Sequence, residues 1–414
     1  MDTDTASLRF VIVGHVDHGK STLIGRLLYE TGSLPKDKIE EIKRMSQELG
    51  RDIEFSFLLD HLEEERRQGI TIDTTQTFLK TALRHYVIID APGHVEFVRN
   101  MVTGSSQAEA GVLIIDAAEG IQEQTRRHLY ILFLLDIKQV VVVVNKMDLV
   151  GFDGGTFARL RGEIETFLRA VGVASIWCIP ISALKGDNVV QRSAAMPWYD
   201  GPTVLEALDT LKKSEPLSSR PFILPVQDVY KVGPKRIIAG KIETGSLRQG
   251  DTIEVFPTGE RSVVKTIEKF PAEVAEASVE ECVGITLADP LFVERGMVIC
   301  RPDGRPNSAD LFPATLLWMD KVPLHRGERL TFKCATQSVS CEIVEISRRM
   351  DSSSLKVIEE NAALLENLEV GTVTIRTERP VVVELFETVP ALGRFVLMGQ
   401  NIRAGGLIIG IPHA

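Results

Sequence analysis

Residues 10–30 read FVIVGHVDHGKSTLIGRLLYE and set the architecture of the first half of the chain. The apolar run Phe10–Val13 has the length and the β-branched composition of a buried parallel strand. The loop GHVDHGKS follows at residues 14–21 and matches GxxxxGK[ST], and a helical pattern follows the loop. A strand, a glycine-containing loop and a helix in this order predict a phosphate-binding loop for a nucleoside triphosphate.

The chemistry of this loop follows from its residue types. Its glycines allow the backbone to curl so that N–H groups point at phosphate oxygens, and the helix N-terminus adds partial positive charge. The ammonium of Lys20 can reach the β- and γ-phosphates, and the hydroxyl of Ser21 can bind Mg²⁺. We therefore predict nucleotide contacts for Gly14, Asp17, His18, Gly19, Lys20 and Ser21.

A second motif, NKMD at residues 145–148, follows the apolar run Val140–Val144 and is predicted to read the base. Guanine presents two adjacent donors that the carboxylate of Asp148 can accept, whereas adenine would leave that carboxylate unpaired. Asn145 can support the base and the loop, and the stem of Lys146 can cover a base face. The segment predicted to offer a backbone N–H to the guanine O6 comprises Ser182, Ala183 and Leu184.

Two further segments can respond to the γ-phosphate. In DAPGH (90–94), Asp90 can hold Mg²⁺ through water, and the N–H of Gly93 can contact the γ-phosphate. Upstream, the hydroxyl of Thr71 in GITID (69–73) can complete the Mg²⁺ shell. His94 occupies the position where small signalling GTPases place a water-orienting glutamine, so we predict that it is catalytic. Histidines with no such surroundings in the sequence, among them His128, are predicted to be structural.

The secondary-structure pattern of the sequence changes near residue 215. Up to that point strand and helix patterns alternate, which predicts an α/β domain with a doubly wound, mostly parallel sheet in residues 1–215. The segment LKKSEPLSSRPF (211–222) is typical of a linker. Short β-rich runs separated by turn signals then predict a barrel or a sandwich in residues 219–305 and a further β-rich domain in residues 310–414.

Composition and net charge disfavour several classes of partner and location, although net charge does not exclude a local RNA site. The 414 residues are 44% hydrophobic and carry a formal net charge of −10, which disfavours nonspecific nucleic-acid binding and predicts no DNA partner. No apolar run reaches the roughly 20 residues of a bilayer-spanning helix, and the acidic N-terminus does not resemble a signal peptide. We therefore expect a cytoplasmic location and no membrane partner. The five cysteines lack CxxC spacing and are predicted to be reduced core residues.

The motifs GHVDHGKST, GITID, DAPGH and NKMD together resemble those of the translation-factor class of GTPases. The resemblance covers essentially the whole chain and implies a P-loop GTPase domain followed by two β-barrels, with GTP, GDP and Mg²⁺ as ligands. We group Lys20 and Thr71 with His94 as catalytic residues. The resemblance assigns Lys20, Ser21 and Thr22 to the phosphates and Mg²⁺, Thr71 and Asp90 to the metal, His94 to the attacking water, and Asn145, Asp148, Ser182 and Ala183 to guanine.

Two branches of this class share features with the chain. The phosphate loop and DAPGH resemble the elongation factors that carry aminoacyl-tRNA. In contrast, QTRRH (124–128) and SALKGDNV (182–189) resemble the GTPase subunit of bacterial sulfate adenylyltransferase, often called CysN. In the β-rich part, RIIAG (236–240), GITL (284–287) and the WM…PL pattern that begins at Trp318 resemble the same subunit. The β-rich segments receive more weight because the barrels hold the partner surfaces.

The sequence thus favours a regulatory GTPase subunit of a sulfate-activating enzyme. Its partner would be a catalytic nucleotidyltransferase subunit that transfers AMP from ATP to sulfate, an uphill reaction that GTP hydrolysis would drive through a conformational cycle. The alternative is an elongation-factor-like GTPase whose partners are aminoacyl-tRNA and the ribosome.

Overall fold

The computed structural model describes residues 7–34, 75–90, 108–134, 137–170, 174–212, 217–233, 235–269, 272–354 and 356–411. Contacts divide the chain into two compact units. Unit one comprises Met1–Ser214 with Ser353–Leu355, and unit two comprises Glu215–Ser352 with Lys356–Ala414. The predicted limits of three domains, 1–215, 219–305 and 310–414, stay predictions.

Unit one contains a sheet whose described strands are largely parallel. They are β1 (Leu8–Gly14), β2 (Thr75–Lys80), β3 (His85–Asp90), β4 (Ala110–Asp116), β5 (Gln139–Asn145) and β6 (Ala174–Pro180). Their order is β2-β3-β1-β4-β5-β6, and only the described pair β2–β3 is antiparallel. Val140–Val144 of β5 are fully buried, as expected for a central strand covered on both faces.

The described helices of unit one are α1 (Lys20–Glu30), α2 (Glu123–Leu134), α3 (Gly154–Ala170) and α4 (Val204–Asp209). Leu23, Ile24 and Leu27 of α1 are at most 1% exposed and belong to the core that also contains the side chains of β1. A short 3₁₀ turn, Met147–Val150, follows β5. The carboxyl ends of parallel strands meet at one edge of a sheet, which is where such folds bind ligands.

The first part of unit two is a closed barrel, which we call barrel one. Its strands are β7 (Ile223–Val232), β8 (Lys235–Lys241), β9 (Ser246–Arg248), β10 (Thr252–Phe256), β11 (Glu260–Lys269), β12 (Ala272–Val274), β13 (Glu276–Ser278), β14 (Cys282–Leu287) and β15 (Val298–Cys300). The order β10-β15-β7-β8-β14-β11 closes because β10 also pairs with β11. The structure therefore selects a barrel over a sandwich.

The second part of unit two, barrel two, closes in the same way. Its elements are β16 (Asn307–Trp318), β17 (Leu324–His325), β18 (Arg329–Cys334), β19 (Gln337–Asp351), β20 (Val357–Ala362), β21 (Leu364–Leu365), β22 (Glu369–Val383), α5 (Pro390–Gly393), β23 (Arg394–Met398) and β24 (Ile402–Ile408). The order β18-β23-β24-β16-β22-β19 closes through the pairing of β18 with β19. An α/β domain followed by two β-barrels is thus confirmed.

Barrel one and barrel two share apolar packing. Ile223, Val298 and Cys300 of barrel one belong to the buried cluster that contains Phe312 and Trp318 of barrel two. Burial of this apolar surface stabilises the two barrels as one unit, in agreement with their grouping by contacts.

The cysteines are all unpaired, but one of them corrects the sequence prediction. Cys300, Cys334 and Cys341 are buried as predicted and Cys178 is half-buried, whereas Cys282 is exposed at the start of β14. Cys282 is the first residue of β14, at one end of the barrel strand, so its side chain is exposed although apolar residues follow it in the sequence. No helix in the described ranges has the length and apolar character to cross a membrane.

Candidate functional site

The phosphate loop between β1 and α1 is shaped by two glycines. A Cβ on Gly14 would lie 2.5 Å from the carbonyl oxygen of Ile114, on the neighbouring strand β4. Gly19 has a φ of +94°, and a Cβ there would lie 2.4 Å from Nδ2 of Asn145. Both approaches are too close for any side chain, so the course of the loop requires glycine at these two positions.

Lys20 reaches across the loop from the first turn of α1. Its Nζ donates to the carbonyl oxygens of Gly14 and His15, each at 3.0 Å, and the residue is 7% exposed. Burial lowers the pKa of Lys20, while the negative charges of Asp90 and Asp17 oppose that shift. The ammonium is therefore held at the loop, where it can bind phosphate oxygens.

The start of α1 supplies further donors. Gly19 precedes the helix and provides no side-chain cap, so the first N–H groups, including those of Ser21 and Thr22, have no helical carbonyl to bind. These groups and the helix dipole favour an anion at this end of the 11-residue helix. The geometry is thus compatible with the nucleotide contacts predicted for both residues.

The described residues around this loop fit a magnesium ion. Hydroxyl and carboxylate oxygens are the ligands that Mg²⁺ prefers, and Ser21 and Asp90 offer them. Asp90 ends β3, is 3% exposed, and acts electrostatically on Lys20. Thr71, Gly93 and His94 lie outside the described residues, so their assigned roles stay predictions.

The side chain of His18 is turned towards the end of β4. Its Nδ1 lies 3.3 Å from both the carbonyl oxygen of Ile114 and the backbone nitrogen of Asp116, and its Nε2 lies 3.3 Å from a carboxylate oxygen of Glu119. Burial lowers the pKa of His18, against the hydrogen bond to Ile114. The His18 ring therefore anchors the loop to β4, and the nucleotide contact predicted for His18 stays a prediction that its backbone N–H would have to make.

Asn145 joins three segments through one amide. Its Nδ2 donates to the carbonyl oxygen of His18 at 2.8 Å, and its Oδ1 accepts the backbone N–H of Ala183 at 2.9 Å. The residue is 2% exposed. The N–H of Ala183 is therefore used inside the protein, so within this segment the N–H of Leu184 is the candidate donor to O6; the predicted place of Ala183 beside guanine stays a prediction.

The loop that presents Asp148 is held by an ion pair that the sequence analysis missed. Nζ of Lys146 lies 2.7 Å from Oδ2 of Asp116, at the end of β4. Lys146 has a left-handed backbone (φ 61°) and precedes the 3₁₀ turn that contains Asp148. The sequence did contain a signal for Asp116, because this acidic residue directly follows the apolar run of β4. Strand β4 pairs with β1, the strand that leads into the phosphate loop.

The segment Ser182-Ala183-Leu184 is braced by a second residue that the sequence did not identify. Nε of Arg26, on α1, donates to the carbonyl oxygen of Ala183 at 3.0 Å, and its guanidinium also binds the carbonyl oxygen of Leu184. The hydroxyl of Ser182 accepts the N–H of Lys185 at 3.3 Å. No local pattern marks this role of Arg26, because the two carbonyl groups that it binds are more than 150 residues away in the chain.

His128 lies on α2, and the structural role predicted for it stays a prediction. Its side chain is buried, and neither ring nitrogen has a hydrogen-bond partner among the described residues. Burial lowers the pKa of His128 to about 3, and the charges of Lys20, His15 and His18 act in the same direction. His128 therefore lies, electrically neutral, in the environment of the phosphate loop.

The chain is similar to known families over its whole length. Residues 5–214 match the family described as "Elongation factor Tu GTP binding domain". Residues 235–300 match "Elongation factor Tu domain 2", and residues 311–409 match "GTP-eEF1A C-terminal domain-like".

Individual proteins are also similar to this chain. Elongation factor 1-alpha of Methanosphaerula palustris is 37% identical over 421 residues, covering 100% of this chain and 99% of that protein. The bifunctional enzyme NodQ of Rhizobium sp. strain BR816 is 39% identical over 411 residues, covering 98% of this chain but 65% of that protein. A solved structure of sup35 complexed with GDP is 26% identical, covers 100% of this chain and 97% of that one, and has a TM-score of 0.46.

Proposed function

This chain belongs to the elongation factor Tu family of GTPases, and from that membership we propose that its GTP-bound form delivers aminoacyl-tRNA. It binds GTP and GDP, hydrolyses GTP, and uses Mg²⁺, the generic metal of such GTPases. The observation that carries the proposal is the end-to-end similarity to elongation factor 1-alpha, which includes both barrels.

We assign the nucleotide to the edge of the sheet where the phosphate loop and NKMD meet. The Asn145 amide, bonded to both His18 and Ala183, supports this assignment because it sets the distance between the phosphate and base loops. Asp148 reads the guanine, Lys20 binds phosphate, and Ser21 and Asp90 hold the metal, which when bound offsets charge on the phosphates. His94 orients the attacking water.

The base assignment has a direct test. Asp148→Asn places an amide donor where guanine offers its own donors, so GDP affinity should fall by about a hundredfold or more. Xanthosine diphosphate, which carries a carbonyl at that position, should bind the variant better than the wild type. The neighbouring Leu149→Ala, at a side chain that is 67% exposed, is the matched control. An unchanged preference for GDP in Asp148→Asn would remove Asp148 from the base site.

Barrel one offers a concave surface for the proposed tRNA ligand. A cavity of about 790 Å³ lies on it, with apolar lining from Ile237, Ala239 and Val283. Its charged lining comprises two basic and two acidic residues: Lys241, Lys269, Glu268 and Glu273. Cavities of this volume hold drug-sized ligands, a size range that includes one nucleoside or amino acid. We assign the aminoacylated end of the tRNA to this cavity.

The exposed Cys282 lines the same cavity and gives the experiment. Burial raises the pKa of the thiols of Cys178, Cys300, Cys334 and Cys341, so a maleimide should react first at Cys282. The GTP-bound chain should slow spontaneous deacylation of aminoacyl-tRNA, and alkylation should abolish that protection without changing GDP affinity.

Cys282→Ser, treated with the same reagent, is the control and should keep its protection. Protection that survives alkylation of Cys282 would move the ligand away from barrel one. No protection by any form of the chain would contradict the tRNA assignment as a whole.

The second candidate is the regulatory GTPase subunit of a sulfate adenylyltransferase. It is favoured by the barrel segments RIIAG, GITL and WM…PL, which resemble that subunit. Under this candidate the partner is a nucleotidyltransferase that adenylates sulfate, and GTP turnover should rise when ATP and sulfate are added with that partner.

Affinity purification from the native cell with a non-hydrolysable GTP analogue separates the two candidates. Recovery of aminoacyl-tRNA supports the first candidate. A stoichiometric nucleotidyltransferase subunit, followed by stimulation of GTP turnover by ATP plus sulfate, replaces it with the second.

A further inference from the structure

Asp116 is a buried carboxylate at the end of β4 whose two oxygens are used differently. Oδ1 accepts the backbone N–H groups of Ala118 at 2.7 Å and Glu119 at 3.2 Å. Oδ2 lies 2.7 Å from Nζ of Lys146. The Asp116 side chain is 3% exposed and that of Lys146 is 30% exposed, so solvent screens this ion pair only partly.

The Asp116 carboxylate is held in place by groups other than Lys146. In the sheet register Asp116 lies opposite Asn145, and the N–H of Ala117 donates to the carbonyl oxygen of Asn145 at 2.8 Å. Burial alone would raise the pKa of Asp116, but the hydrogen bonds from Lys146, Ala118 and Glu119 lower it overall. A carboxylate held ionised in one orientation is a rigid anchor for an ammonium.

Lys146 is constrained at both ends. Its backbone is left-handed (φ 61°, ψ 33°), a conformation that is unfavourable for a residue other than glycine. Its ammonium is held by Asp116. The four-carbon stem between these two fixed points is therefore preorganised, although a free lysine side chain would occupy many rotamers.

Asp116 also contacts the phosphate loop. Nδ1 of His18 lies 3.3 Å from the backbone nitrogen of Asp116, and Nε2 lies 3.3 Å from a carboxylate oxygen of Glu119. The backbone of Asp116 thus contacts His18 of the phosphate loop, while its side chain contacts Lys146 of the base-reading loop.

We propose that Asp116 is a positioning residue for the guanine nucleotide, acting through Lys146, whose stem it holds over the base face. This inference rests on the proposed nucleotide site. Preorganisation lowers the cost of ordering Lys146 upon binding, so its loss appears mainly in the rate of nucleotide release.

Asp116→Asn is the informative variant, since the amide oxygen still accepts N–H groups while the charge facing Lys146 is removed. We expect the Kd for GDP and for a non-hydrolysable GTP analogue to rise about tenfold, through faster release. The KM for GTP should rise with them, while kcat at saturation stays unchanged. The ratio of GDP to inosine diphosphate affinity should not change, because Asp148 still reads the base.

A double-mutant cycle with Lys146→Met distinguishes positioning from a general structural role. If Asp116 acts through Lys146, the double variant should release GDP no faster than Lys146→Met alone. Asp153→Asn is the matched control, because that exposed carboxylate binds Thr156 and belongs to the same stretch of chain. Its release rate should equal that of the wild type.

Three results would overturn the inference: unchanged GDP release in Asp116→Asn, additive effects in the double variant, or loss of the folded state in Asp116→Asn, which would make the residue a folding determinant. A wild-type chain that fails to bind GDP would instead overturn the proposed nucleotide site itself. The two failures are therefore separable.

Discussion

Asn145 and Asp148 belong to one four-residue motif but perform different tasks. The Asn145 amide is committed to His18 and Ala183, so it braces the loops rather than contacting solvent. Asp148 is only half-buried and lies in the 3₁₀ turn that follows. The residue that holds the site together is thus separate from the residue that reads the ligand, and substitutions at the two should have different consequences.

At the same scale, His94 is predicted to act on the attacking water alone. His94→Ala should therefore keep GTP affinity while single-turnover hydrolysis falls roughly 10²–10⁴-fold, the usual contribution of a positioned acid–base group. The exposed His325 on β17 supplies the control, since His325→Ala should hydrolyse GTP at the wild-type rate. Equal losses of binding and hydrolysis in His94→Ala would contradict a catalytic role.

At the scale of elements, the phosphate loop depends on close approaches between segments. β1 and β4 pair in parallel, and Gly14 faces the Ile114 carbonyl oxygen across that pair. Gly19 approaches Asn145 at the end of β5. The course of the loop is therefore fixed by neighbouring strands as much as by its own sequence, and its glycines are needed for both space and backbone conformation.

Gly19→Ala tests this dependence. A Cβ at φ +94° strains the backbone and collides with Nδ2 of Asn145. The backbone strain alone should lower GDP affinity at least roughly tenfold. Titration of a fluorescent GDP analogue measures the change. Gly162→Ala, on the exposed face of α3 with nothing within 4 Å of the new Cβ, should leave GDP affinity unchanged and stabilise unit one by about 0.5–1 kcal/mol. Equal GDP affinity in both variants would refute the argument.

At the scale of the whole molecule, the chain consists of two compact units with different cores. The core of unit one packs α1 and α4 against the parallel sheet, whereas the buried cluster of barrel two extends into barrel one. Buried ionisable groups make the stability of each unit depend on pH in its own way, and His128 is such a group in unit one.

His128 should make unit one less stable in acid. Its folded pKa of about 3 lies below the ordinary value of 6.5, so between these values the unfolded chain binds a proton that the folded chain does not. The unfolding free energy of unit one is therefore unaffected by protonation of His128 above pH 6.5 and decreases as the pH falls from 6.5 towards 3. Between pH 7 and 5 this group should cost unit one about 2 kcal/mol of unfolding free energy.

His128→Leu removes that titration, so its unfolding free energy should fall less between pH 7 and 5 than that of the wild type. Hydrogen exchange of amides in β5 reports the opening of unit one, and amides in β22 of barrel two provide an internal reference that the substitution should not affect. The same pH dependence in wild type and variant would show that His128 is not protonated on unfolding in this range.

The parts of this protein that could be read from its sequence are those whose physics is local. A strand, a glycine loop and a helix occupy 23 consecutive positions from Leu8 to Glu30, and NKMD directly follows the run that forms β5. Alternation of strands and helices, then short strands between turns, was enough for an α/β domain followed by β-rich domains. Each of these signals depends on neighbours in the chain, so periodicity and residue type sufficed.

The remaining features required three dimensions, because they join residues that are far apart in the chain. The Asp116–Lys146 pair, the bonds of Asn145 to His18 and Ala183, and the contacts of Arg26 are of this kind. Closure of barrel one depends on the pairing of β10 with β11 and β15, which no alternation pattern encodes. The contacts of the His18 ring with Ile114, Asp116 and Glu119 are of the same kind, since a histidine can serve as a ligand contact or as an anchor according to what surrounds it.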